Sequence, residues 1–343
     1  MNIAIRTDGN SQLGMGHVMR CLSLADSIVK LGGQCLFILS DKNCFDLISD
    51  RGFRAVVIQS KWNNFDEGIE QVKHIILKMN IEIIVVDSYY AGNTFFEEMQ
   101  KVSQVAYITE NKPSDIITNI DFFINYNIYA PDYRKNNGLK TCYILGPQYA
   151  PLRREFNCVK RSKNKSNSIL ILTGGSDPFN IAVDISKAIL ECRALVKYQL
   201  NIVSGKINPF ISELYELQSR YNRVNVIINP NSMSQEMLRN DVAISAAGST
   251  IYELCVCMTP TISYICAENQ RLIAEKFSDN NLIPYVGDIR YARQKTINQI
   301  VDYLIDYKSD VEKWSIRAQQ LNKICDGKGA DRIASILCLG ISE

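Results

Sequence analysis

The chain has 343 residues, more than one hydrophobic core usually serves, so two domains are expected. Its 38 basic and 36 acidic residues leave a formal charge of +2, which gives no electrostatic footprint for nucleic acid or an anionic membrane. No apolar run approaches the roughly 18 residues of a membrane span, and the N-terminus enters a strand with no basic leader, so a cytoplasmic chain is expected. Eleven cysteines lie without framework spacing. Cys35, Cys192 and Cys338 fall among apolar neighbours as small buried residues do, and Cys255-x-Cys257 lacks the spacing of a zinc knuckle, so no metal is expected.

In chain order, Ile3 and Ile5 alternate in a short strand that breaks at Asp8, Gly9, Asn10 and Ser11. Gly14 and Gly16 bracket Met15 immediately before His17, one of only two histidines. Leu22, Leu24, Ala25, Ile28, Val29 and Leu31 then recur at helical spacing until Gly32-Gly33, which places His17 at a helix N-terminus. Such a terminus favours anions and a neutral imidazole able to accept a proton, and the loop lies where open α/β sheets bind ligands. A plain capping role for His17 fits the same position.

Residues 34–40, 55–59, 81–89, 105–109, 121–126 and 141–145 read as strands, with helical stretches between them such as 66–79. Their near-continuous apolar runs predict a parallel sheet covered by helices on both faces. Asp87 and Tyr89 end one strand, and Asp87 is either a site residue or a turn former. His74 has no chemical neighbour in sequence and reads as a helix surface residue. Residues 159–167 are a polar lysine, serine and asparagine stretch that reads as a linker between domains at 1–158 and 168–343.

The second domain opens as the first does, with a strand, the turn Gly174-Gly175-Ser176-Asp177 and a helix from Pro178. Strands follow over 200–205, 225–230, 241–246 and 259–265. The small-residue run Ser245-Ala246-Ala247-Gly248-Ser249-Thr250 opens a helix carrying Glu253, so backbone amides and hydroxyls could hold a phosphate while Glu253 accepts ribose hydroxyls. Glu253 would equally serve as an ordinary first-turn acid. Asn269 and Gln270 could bind sugar hydroxyls or amides, or cap a helix. Neither loop is G-x-G-x-x-G or G-x-x-x-x-G-K-S/T, which leaves dinucleotide and ATP P-loop sites unsupported. Residues 311–341 are helical with a break at 327–329, and sequence leaves open which domain they join. The fold class is α/β, two doubly wound Rossmann-like domains facing across a cleft.

In combination, Arg6-x-Asp8, Gly14-x-Gly16-His17-x-x-Arg20-Cys21-Leu22, Gly146-Pro147-x-Tyr149-x-x-Leu152-Arg153-x-Glu155-Phe156, the Gly174 turn and Ser245 to Glu253 resemble the PseG family, UDP-sugar hydrolases of pseudaminic acid biosynthesis with MurG-like GT-B relatives. The resemblance runs from Met1 to about residue 281. It implies hydrolysis of UDP-2,4-diacetamido-2,4,6-trideoxy-β-L-altropyranose to UDP and free sugar, by water attack at the anomeric carbon with inversion. It further implies His17 as the catalytic residue, Tyr89 and Asn269 near the sugar, and Glu253 on the ribose. Ser249, Thr250, Gly174 and Gly175 would cradle the diphosphate, and Ile228 would carry the backbone that meets uracil. Gly14, Gly16, Arg20 and Gln270 complete the expected substrate contacts. Ser88 stands where some members carry a histidine. A UDP leaving group needs charge stabilisation and a base for water, which His17 supplies, with Asp8 the expected partner fixing its tautomer. No cofactor is required, and a monomer acting on a UDP-sugar is expected. A GT-B glycosyltransferase and a non-catalytic nucleotide-sugar sensor are the competing readings.

Overall fold

A computed structural model describes residues 1–10, 12–110, 120–133, 141–157, 159 and 166–340. They divide into two compact units, 1–154 with 327–343, and 155–326.

The first unit is built on a seven-stranded sheet in the order β3-β2-β1-β4-β5-β6-β7. The strands are β1 (Asn2–Thr7), β2 (Gln34–Leu39), β3 (Arg54–Val57), β4 (Ile83–Asp87), β5 (Gln104–Ile108), β6 (Phe122–Asn125) and β7 (Cys142–Leu145). Every pairing is parallel. Ile3, Ala4 and Ile5 of β1 and Ile83 to Val86 of β4 are completely buried, because both faces carry helices. Those helices are α1 (Gly16–Lys30), α2 (Phe45–Asp50), α3 (Ile69–Lys78) and α4 (Asn93–Gln100). Phe65, Phe95, Phe96 and Tyr107 stack edge-on or tilted on one face, forming the aromatic part of that core.

The second unit repeats the plan with six parallel strands in the order β10-β9-β8-β11-β12-β13. They are β8 (Ser168–Leu172), β9 (Gln199–Ser204), β10 (Val224–Ile228), β11 (Val242–Ala246), β12 (Thr261–Ile265) and β13 (Tyr285–Asp288). Around them lie α5 (Ile181–Glu191), α6 (Ile211–Arg220), α7 (Met233–Arg239), α8 (Thr250–Val256), α9 (Arg271–Asp279), α10 (Arg293–Ser309) and α11 (Val311–Ile324). Trp314 of α11 fills the core edge-on to Tyr303 and Tyr307 of α10, and its indole N–H donates to Asp306 at 2.8 Å.

In both sheets the chain reverses direction of winding at the first strand. β1 lies between β2 and β4, and β8 lies between β9 and β11. The crevice at such a switch point, at the carboxyl ends of the strands, is where doubly wound sheets hold ligands. The loops after β1 and β4 meet at the first switch point, and those after β8 and β11 flank the second.

The second unit ends at Asp326, short of the expected 343, and the C-terminal segment, whose domain the sequence leaves open, joins the first unit. α12 (Gly329–Leu339) belongs to the first unit, where Asp331 accepts from Ser27 Oγ at 2.7 Å and Lys30 Nζ at 3.0 Å on α1. Gly329 makes the approach possible, since a Cβ there would lie 2.2 Å from the Ala150 carbonyl oxygen. Residues 160–165 of the expected linker lie outside the described residues. The second unit already begins at Glu155, which accepts from Ser232 Oγ and the Ser234 amide at the start of α7.

Among the described residues no helix is long and apolar enough to cross a membrane.

Candidate active site

Gly16 opens α1 and His17 follows it, so the glycine loop delivers the imidazole to the first turn of that helix. Gly14 adopts φ +74°, and its amide donates to Asn10 O at 2.8 Å, closing the loop on itself. Gly16 has neither a positive φ nor a neighbour that a Cβ would touch; the backbone there faces open space.

His17 Nδ1 lies 2.7 Å from Asp87 Oδ1, the last residue of β4. Register explains the meeting, because Thr7 at the end of β1 pairs with Asp87 at the end of β4, and α1 is the next element after β1. Asp87 is gripped from its other side by Arg20, one turn after His17 on α1. Arg20 Nε reaches Oδ2 and Nη2 reaches Oδ1, each at 2.5 Å, a two-pronged pair. Burial alone would raise the Asp87 carboxyl, but the Arg20 guanidinium and His17 hold it well below the usual carboxylate range. Against the cost of its own burial, Arg20 is held protonated by Asp87.

Tyrosines complete this cluster. Arg20 Nη1 donates to Tyr126 Oη at 2.6 Å, and Glu110 Oε1 lies 3.8 Å from the same nitrogen. Burial pushes the Tyr126 hydroxyl up to about 12, so it stays protonated at neutral pH. Tyr89 stands edge-on to His17 with ring centroids 4.8 Å apart, donates to Glu110 at 3.2 Å, and keeps 44% of its surface exposed.

Asp8 is not the partner of His17. Parallel pairing of Arg6 with Ile38 carries Asp8 level with Ser40, whose amide and hydroxyl both donate to its Oδ1 at 2.7 Å. Its Oδ2 takes Arg6 Nη1 at 2.5 Å, and the Arg6 guanidinium lies over the Phe65 ring. Arg6-x-Asp8 is therefore a buried pair that ties β1 to the end of β2. Tyr126 and Glu110 were not singled out by the sequence. The available signal was position alone, just past the ends of β6 and β5, at the same carboxyl edge as Asp87.

In the second unit, Gly174 takes φ +84° just past β8, and neither Gly174 nor Gly175 has an atom within 4 Å of where a Cβ would stand. Gly175 is packed by backbone from the far side, since a Cβ at Gly205, after β9, would lie 2.3 Å from its carbonyl oxygen. Asp177 accepts from the Ile181 and Ala182 amides at 2.9 Å each and so braces the start of α5. Ser249 is the N-cap of α8, Thr250 its first residue, and Glu253 lies in its first turn. Gln270 Oε1 accepts from the Cys266 amide at 2.9 Å, and its Nε2 lies 3.8 Å from where a Gly248 Cβ would be, so it lines the 245–250 loop. Asn269 is on the exposed 3-10 turn Glu268–Gln270 after β12. Ile228 ends β10, paired with Ser204 of β9. The structure thus joins His17, Arg20 and Tyr89 in one cluster on the first unit. It gathers Gly174, Gly175, Ser249, Thr250, Glu253 and Gln270 around β8, β11 and β12 of the second, with Ile228 two strands from β8.

No protein-family model matches the chain. It is 29% identical over 288 residues to an uncharacterized protein of Methanocaldococcus jannaschii, covering 79% of this chain and 57% of that one. It is 24% identical over 260 residues to the UDP-2,4-diacetamido-2,4,6-trideoxy-beta-L-altropyranose hydrolase of Campylobacter jejuni, covering 74% and 87%. The resemblance to the PseG family holds. A Helicobacter pylori protein named as both pseudaminic acid cytidylyltransferase and that hydrolase is 24% identical over 280 residues, 81% of this chain and 47% of the relative. The chain therefore spans about half the length of two of these relatives. Among solved structures, Acinetobacter baumannii MurG superposes with a TM-score of 0.71 at 12% identity, covering 98% of this chain and 99% of that one. The kitacinnamycin glycotransferase gives 0.70 at 15%, covering 98% of each. The fold is of the GT-B type.

Proposed function

We propose that the chain hydrolyses a UDP-activated diacetamido-trideoxyhexose, the substrate class in the names of its PseG-like relatives, as a step of pseudaminic acid biosynthesis. The observation that carries the reading is the His17–Asp87 contact at 2.7 Å at the first switch point. A carboxylate on one imidazole nitrogen orients the ring and stabilises the charge it acquires on taking a proton from water. The water oxygen bonds to the anomeric carbon, the bond from that carbon to the β-phosphate oxygen breaks, and UDP leaves as an anion. The small-residue loops after β8 and β11 supply amides and hydroxyls for the diphosphate, and Glu253 supplies an acceptor for ribose hydroxyls. The glycosyltransferases among the fold neighbours support a second reading, transfer of the sugar to an acceptor hydroxyl by the same base.

The test is UDP release from a panel of UDP-diacetamido-trideoxyhexoses in the absence of any acceptor. Turnover that requires an added acceptor would favour the transferase. In ¹⁸O-labelled water the label should enter the anomeric hydroxyl and leave UDP unlabelled; label in the nucleotide would place the attack on phosphorus. His17→Gln should lower kcat by at least about 100-fold, the scale of a lost general base, with UDP affinity unchanged.

A further inference from the structure

We infer that Arg20 is a positioning residue that, with Asp87, fixes His17 with its proton on Nδ1 and a lone pair on Nε2. This rests on the reading of His17 as the base, and it departs from the sequence expectation that Arg20 touches substrate. All three guanidinium nitrogens are engaged within the first unit: Nε and Nη2 on Asp87, and Nη1 on Tyr126. The Arg20 side chain is largely enclosed, at 11% exposure, and also lies against the Tyr126 ring.

The tautomer follows from who can donate. His17 Nδ1 has two close neighbours, Asp87 Oδ1 at 2.7 Å and Arg20 Nη2 at 2.9 Å. Arginine has no acceptor, and an ionised carboxylate has no donor. If Nδ1 were bare it could accept from Arg20 Nη2 at 2.9 Å, but its lone pair would then face a carboxylate oxygen at the shorter distance of 2.7 Å in a buried site. If Nδ1 carries the proton, both nitrogens donate to the same Oδ1, and their 2.9 Å separation is that of two donors converging on one acceptor. Only the second arrangement makes the shorter contact, at 2.7 Å, a hydrogen bond. Arg20 is indispensable to it, because its fork keeps Asp87 ionised and sets the plane of the carboxylate. Lysine, a single point donor, cannot reproduce two parallel bonds.

The chain has two histidines, so ¹⁵N-histidine labelling of a His74→Gln protein leaves one imidazole to observe by NMR. The expected result, once the ring is neutral, is a protonated Nδ1 and an unprotonated Nε2. Arg20→Lys and Arg20→Met should each lose that preference, whereas Tyr126→Phe, which leaves the fork on Asp87, should keep it. A wild-type ring protonated on Nε2, or an unchanged tautomer ratio in a folded Arg20→Lys protein, would overturn the inference. Arg20→Lys is the deciding variant should Arg20→Met fail to fold. In turnover, Arg20→Lys should lower kcat by about 100-fold, the lower end of what a general base contributes, with KM within about threefold. A raised KM at unchanged kcat would make Arg20 a substrate ligand and sink the proposal. If the wild-type protein hydrolyses no UDP-sugar, the proposed function fails, while the NMR result still decides the tautomer.

Discussion

Residue by residue, two buried charge pairs of the first unit do different work, one holding the sheet and the other the candidate base. Arg6 with Asp8 belongs to the first kind and Arg20 with Asp87 to the second. Removing one partner of a buried pair strands the other, so Asp87→Ala should cost about 3–5 kcal/mol in urea denaturation. A loss below about 1 kcal/mol would mean that Arg20 finds water or another partner at little cost. The pH dependence has a definite sign. Asp87 is held below its unfolded value, so its stabilisation is complete above about pH 4 and is lost as pH falls through the strongly acidic range. The difference in unfolding free energy between wild type and Asp87→Asn should therefore shrink on acidification below about pH 4, and a difference that grew there would contradict the assignment. His17 was legible in the sequence because glycines and helix periodicity mark its place. Its partner was not, because choosing between Asp8 and Asp87 requires the register of β1 against both β2 and β4, which no local pattern encodes.

At the scale of elements, the strand that escaped sequence reading is the one whose local signal is weakest. β13, with the sequence Tyr285-Val286-Gly287-Asp288, has no apolar run, carries a glycine at φ +128°, and pairs with β12 through a shifted register. By contrast, residues 311–341 were read as two helices split at 327–329, and α11 and α12 match that reading. What the pattern could not give is where α12 docks, since its apolar stripe would suit either unit, and the choice is made by Asp331 on α1 and by the bare backbone of Gly329. Gly329→Ala should therefore loosen this helix. Its Cβ would meet backbone atoms at 2.2 to 2.5 Å, and overpacking of this kind costs about 1–3 kcal/mol. Thermal unfolding of the variant checks this, and an unchanged midpoint would show that α12 can shift without penalty. The same logic at Gly205 reaches the second unit's loop, where an added methyl would press on Gly175 and should weaken UDP binding.

Across the whole molecule, the two units share the order of their first six strands and differ in what their switch points carry. The first holds His17 with a charged support; the second holds small residues, hydroxyls and Glu253. Parallel sheets, duplicated openings and both glycine loops were readable because each is a local pattern repeated along the chain. The division at Glu155 and the return of the last helix were not, because they depend on contacts far apart in sequence. The proposed labour is divided in the same way, and that has a measurable consequence. Substitutions in different units that share no partner should act independently, so their effects should add. His17→Gln should lower kcat and leave UDP affinity alone. Glu253→Ala should weaken UDP binding by about 1.5–3 kcal/mol, the value of a hydrogen bond to a charged group. The double variant should bind UDP as Glu253→Ala does, within about 0.5 kcal/mol. Calorimetric titration of UDP into the three proteins decides the matter. If His17→Gln alone weakened UDP binding, the base would be contributing to nucleotide affinity, and assigning chemistry to one unit and nucleotide recognition to the other would have to be abandoned.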